Sequence, residues 1–121
     1  MPEPAFDIKP YVEGWRKRHA EAAALMAERK HLAMQDAKRI AQFLRSTHGC
    51  TKIIGIGSTF NQKDFTEHSD IDLVVYGLPP GKYFTICGEV RELASCEVDL
   101  IPGEKARPLV LERVAEEGVE L

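Results

Sequence analysis

The segment Ile53-Ile54-Gly55-Ile56-Gly57-Ser58, the eleven residues Thr59 to Ser69, and Asp70-Ile71-Asp72-Leu73-Val74-Val75-Tyr76 decide the fold. Residues 51–57 are apolar and β-branched and end in glycine, the pattern of a short strand. Residues 58–69 are polar and irregular. Residues 70–76 read as a second strand in which Asp70 and Asp72 alternate with Ile71 and Leu73. Side chains two apart on a strand share a face. The two aspartates therefore project together, and Ile71, Leu73 and Val75 point the other way, toward a core.

The rest of the chain supplies helices around these strands. Residues 13–48 read as one long helix, rich in Ala, Glu, Lys, Arg, Leu and Met. Its apolar stripe runs through Ala22, Met26, Ala33, Ala37, Ile40, Ala41 and Leu44, broken at Lys30. About 35 residues would span roughly 50 Å. So long a helix either bends near its middle or packs its first half on another chain, which makes a homo-oligomer through this helix an expectation. Residues 1–12 hold Pro2, Pro4 and Pro10 and read as a flexible N-terminal arm. Gly77-Leu78-Pro79-Pro80-Gly81 breaks the chain. A helix fits residues 82–94, a third strand fits Glu97-Val98-Asp99-Leu100-Ile101, and a last helix fits residues 108–117, with Gly118 as its C-cap. The expected architecture is one α/β (α+β) domain over residues 13–121. It has a long N-terminal helix and, over 51–121, a core built on a small three-stranded sheet flanked by helices.

Composition narrows the function classes. The chain has 121 residues and a net charge of -3, so it carries no overall basic footprint for nucleic acid. The charge is uneven. Residues 1–49 hold nine Lys/Arg against six Asp/Glu, and residues 50–121 hold seven against thirteen. Cys50, Cys87 and Cys96 form no CxxC pair, which fits small buried hydrophobes rather than a disulfide framework or a zinc site. No apolar run approaches the roughly 20 residues of a membrane span, and the start lacks the order of a signal peptide. The expected setting is the cytoplasm.

Carboxylates carry the chemistry. A lone Asp-x-Asp is commonly a solvated strand end, and a lone Asp99 is no more informative. Their order along the chain adds meaning. Two same-face carboxylates roughly 7 Å apart at Cα repel unless a cation lies between them, and oxygen-only ligands suit Mg²⁺. Asp99 would join them if its strand lies beside the second. Gly57-Ser58 ends the preceding strand, where a hydroxyl and backbone N–H groups can receive an anion. A phosphate cradle next to a metal pair is what phosphoryl or nucleotidyl transfer requires.

Taken together, Ile56-Gly57-Ser58, Ser69-Asp70-Ile71-Asp72-Leu73, Val98-Asp99-Leu100-Ile101 and the tail Arg113-Val114-Ala115-Glu116-Glu117-Gly118-Val119 resemble the DNA polymerase beta-type nucleotidyltransferase superfamily. The resembling branch is the minimal nucleotidyltransferases, found as antitoxins beside HEPN-domain toxins, and the resemblance covers about residues 35–121. It implies the nucleotidyltransferase fold and two Mg²⁺ ions held by Asp70, Asp72 and Asp99. It also implies an activated acceptor hydroxyl at Asp99 and ATP phosphates on Gly57 and Ser58. The acceptor would be a hydroxyl of a partner protein, a HEPN-type toxin, modified with AMP. The chain departs from the family pattern Gly-Ser-x-Ala-Arg-Gly at Asn61 and Gln62, where arginine and glycine are usual. Lys63 is the expected substitute charge. The alternative reading is a catalytically weak or inactive module that neutralises a partner by binding.

Overall fold

The computed structural model describes residues 8–61 and 65–121. The arm residues 1–7, together with Gln62 and Lys63, lie outside the described residues. Strand β1 (Lys52–Ile56) runs antiparallel to β2 (Ile71–Tyr76), with Ile56 opposite Asp72 and Ile53 opposite Val75. A crossover through α2 (Tyr83–Glu92) brings β3 (Val98–Pro102) parallel to β2 on its other side. Helix α3 (Pro108–Glu117) follows a 3-10 turn at Gly103–Lys105.

The alternation read from the sequence sets the layers. Ile71, Leu73 and Val75 are fully buried in one core with Ile53, Val98 and Leu100, against Ala33, Ala37, Ile40, Ala41 and Leu44 of α1 (Lys9–His48). The three alanines let the helix approach the sheet closely. Ile54, Ile56 and Val74 face the other way, into a smaller cluster with Ile101 and with Val110 and Val114 of α3. The sheet thus separates an α1–α2 side from an α3 side. Asp36 of α1 is buried and ties the helix to the turn before β3, where its carboxylate accepts the N–H and the hydroxyl of Ser95 at 3.0 and 2.9 Å.

Helix α1 has 40 residues, about 60 Å at 1.5 Å per residue, with no break. It stops at Gly49, whose φ of 70° is left-handed and whose N–H returns to Arg45. It opens at Lys9, inside the segment read as an arm. Pro10 falls in the first turn, where a missing N–H costs no hydrogen bond. Only its second half is buried. Ala22 is exposed, as are Trp15 and Leu25, and Trp15 stacks on His19 with ring centroids 5.1 Å apart.

The expected three-stranded sheet is corrected. The sheet has four strands in the order β3-β2-β1-β4, because Val119–Glu120 (β4) pairs antiparallel with β1. Leu121 N–H extends this to Ile53 O at 2.9 Å, and the Arg45 guanidinium donates to Leu121 O. Gly118 is the C-cap of α3, as expected, with an extended backbone (φ -64°) and its N–H returned to Val114 O. Glycine is needed there for space, because a Cβ would lie 2.4 Å from Val114 O and 2.8 Å from Ile54 Cγ2. The three cysteines are free. Burial raises the thiols of Cys50 and Cys96, as expected of packing residues. Among the described residues no helix is long and apolar enough to cross a membrane.

Gly55 serves a similar spatial need in mid-strand. A Cβ on it would lie 2.5 Å from the ring of buried Phe60, which closes the turn after β1 over the strand itself. Gly55→Ala is therefore expected to cost about 1–3 kcal/mol as an overpacking change. A lower urea midpoint with unchanged slope checks this, and an unshifted midpoint would mean that Phe60 does not seal the turn.

Candidate active site

The site is built where β1 and β2 meet. Gly57 follows β1 with φ 91°, a left-handed conformation that strains any other residue. The N–H groups of Phe60 and Asn61 both return to Gly57 O, at 3.0 and 3.2 Å, so these two donors are not available to an anion. The turn is tied to the segment carrying the aspartates. Ser58 donates to Ser69 Oγ at 2.8 Å, and buried Thr59 donates to the backbone oxygen of Asp70 at 3.0 Å. Ser69 Oγ also accepts the Thr66 N–H at 2.9 Å. The Gly-Ser turn and the first aspartate are therefore held in one hydrogen-bonded unit.

The sheet brings the carboxylates together. Asp72 of β2 and Asp99 of β3 are direct register partners, and Asp70 lies two residues before Asp72 at the mouth of the strand. Asp70 and Asp99 are exposed, whereas Asp72 is half-buried. Burial raises the Asp72 carboxyl above its ordinary value of 3.8, the negative charges of Asp99 and then Asp70 raise it further, and Arg113 pulls it back down. A carboxylate crowded by two others is a place that a cation would relieve, and the oxygen-only donors are those of Mg²⁺. A Cβ at Gly57 would lie 3.2 Å from Asp72 Oδ2, so the turn and the carboxylate line one space. Among the described residues no group of three or more His, Cys, Asp or Glu side chains is placed to hold a metal ion by itself.

The nucleotidyltransferase domain family matches residues 37–121, which spans Gly57, Ser58 and all three aspartates. The chain belongs to this family. No curated protein matches the sequence. Solved structures share the fold of this nucleotidyltransferase domain. One is the toxin–antitoxin complex MntA–HepT, at 19% identity over 71% of this chain and 68% of that one, TM-score 0.54. Another is a toxin–antitoxin with AMP-PNP, at 22% identity over 69% and 70%, TM-score 0.59. A third is a tri-AMPylated Shewanella oneidensis HEPN toxin in complex with MNT antitoxin, at 19% identity over 71% and 68%, TM-score 0.54.

The domain's site contains polar groups that sequence reading did not assign. Arg113 of α3 reaches the turn, with its Nη2 3.6 Å from the position of a Cβ on Gly57. Its Nε donates to Glu117 Oε1 at 3.1 Å, and Glu117 Oε2 accepts Asn61 Nδ2 at 3.2 Å. Lys30 of α1, read as a break in an apolar stripe, donates to Asn61 O. The i,i+4 spacing of Arg113 and Glu117 was visible as a helix pair. Nothing in the sequence said that the pair faces the sheet.

The crowding of Asp72 has a measurable sign. A raised carboxyl holds its proton more tightly in the native than in the unfolded chain. The contribution to stability is full below the ordinary value of 3.8 and is lost as pH rises through the raised value. In metal-free buffer at pH 7, Asp72→Asn should raise Tm. The difference should shrink toward pH 4, and millimolar Mg²⁺ should raise the Tm of wild type but not of the variant. A variant that melts lower at pH 7 would show that Asp72 is not under repulsion.

Proposed function

We propose that this domain is a Mg²⁺-dependent nucleotidyltransferase that moves AMP from ATP onto a hydroxyl of a partner protein, a HEPN-type toxin, with the chain as antitoxin. The observation that carries the reading is the register pairing of Asp72 with Asp99 beside the Gly57 turn. Carboxylates at adjacent strand ends, beside the Gly57 turn, suit in-line attack at a nucleotide's α-phosphorus. The AMP-PNP in one structural neighbour and the AMPylated HEPN toxin in another support the nucleotide and the partner.

In this reading Asp70, Asp72 and Asp99 hold Mg²⁺, which supplies charge neutralisation at the reacting phosphate. Gly57 and Ser58 receive the β- and γ-phosphates. Asp99 is exposed, so an acceptor hydroxyl can reach it, and its carboxylate accepts a hydrogen bond from that hydroxyl and draws off its proton. The hydroxyl oxygen forms the new bond to the α-phosphorus as the bond to pyrophosphate breaks.

The test is label transfer from ATP radiolabelled at the α-phosphate, with Mg²⁺, into an extract of the source cell, with wild type beside Asp72→Asn. A labelled protein band seen with wild type and absent with the variant is the expected result. Loss of label should exceed 100-fold, since a group acting at the reacting centre is typically worth 10²–10⁴ in rate. Equal labelling by both proteins would remove Asp72 from the chemistry. No label with either, alongside intact partner binding, would favour a module that neutralises by binding alone.

A further inference from the structure

We infer that Arg113 is the residue that grips the β- and γ-phosphates of the bound nucleotide, aimed at them by Glu117 and Asn61. This rests on the nucleotidyltransferase reading above and adds a phosphate-binding residue to it.

The geometry favours an anion-binding role over a packing one. Val110 and Val114 are the α3 side chains packed on the sheet. The Arg113 side chain is 48% exposed and reaches past them to the Gly57 turn. A guanidinium is a planar fork, and a bond at Nε leaves the two terminal nitrogens to grip a second partner. Here Nε is taken by Glu117 Oε1, and Nη2 lies on the turn that would carry the phosphates. The other Glu117 oxygen is held by Asn61 on the same turn. Asn61 thus brings no charge of its own but helps fix the carboxylate that orients Arg113. Lys30 donates to the Asn61 backbone and joins α1 to the same chain of contacts.

The electrostatics agree. Arg113 is the group that pulls the Asp72 carboxyl down against Asp99 and Asp70. A guanidinium that acts on Asp72 and lies beside the Gly57 turn can offset negative charge on both. Arginine is also suited to bidentate contact with phosphate oxygens.

The experiment compares ATP and AMP binding by calorimetry in Mg²⁺ buffer, for wild type, Arg113→Ala, Arg113→Lys and Glu117→Gln. Removing hydrogen bonds to a charged group should weaken ATP binding at least ~10-fold in Arg113→Ala, with AMP changed less than ~2-fold. Arg113→Lys should fall between, because it keeps the charge and loses the fork. Glu117→Gln should lower ATP affinity without changing that for AMP, a ligand dependence that a purely structural role would not produce. If the alanine variant does not fold, the lysine variant decides. Unchanged ATP affinity in the folded variants overturns the inference, and so does equal loss of ATP and AMP. Wild type that binds neither nucleotide overturns the nucleotidyltransferase reading, and this inference with it.

Discussion

The pleat of β2 governs the site. Ile71, Leu73 and Val75 must be buried beneath α1, and the two-residue period then places Asp72 on the opposite face. Parallel pairing with β3 sets Asp99 directly across from it. Slippage of β2 by one residue would expose three large aliphatic side chains and bury the aspartate under the helix, so the hydrophobic core fixes the register of the chemistry. The crossover through α2 has the same role at one remove, because it makes β3 parallel to β2 and aligns the two aspartates.

The opposite face has little apolar material, and what it has is used for positioning. Ile54, Ile56 and Val74 hold Val110 and Val114, and through them α3, against the sheet. That contact brings a cation from the last helix to a turn some fifty residues earlier in the chain. The aspartates work against stability there, because Asp72 is half-buried among like charges. Strong aliphatic packing on the α1 side and hydrogen bonds from Ser58 and Thr59 hold the cluster in place despite that repulsion.

Much of this was legible in the sequence because it rests on periodicity and local chemistry. The alternation in 70–76, the alanine-rich stripe of α1 and the breaker at residues 77–81 each follow from a rule of one element. The two-residue strand β4 was not legible, since two residues show no period and the pairing depends on where α3 sets the chain down. Gly118 was legible as a helix stop, but the crowding that requires glycine there, from Val114 O and from Ile54 of a distant strand, was not. The three aspartates were readable as a group through their spacing and family likeness. The Arg113–Glu117–Asn61 contacts were not, because they join a helix to a loop and depend on which face of α3 turns toward the sheet.

Helix α1 has a further consequence. Starting a helix is costly and extending it is not. The nucleus here is the buried stretch from Ala33 to Leu44, and the exposed half, about 36 Å of rod, grows from it as propagation alone. Its hydrogen bonds then have no shared opening event. They are lost one after another from Lys9 inward, most easily up to Gly14, a poor helix former, and more reluctantly through Ala22-Ala23-Ala24. Amide hydrogen exchange along α1 should therefore rise as a ramp in protection toward Ala33 and meet a plateau where the core begins.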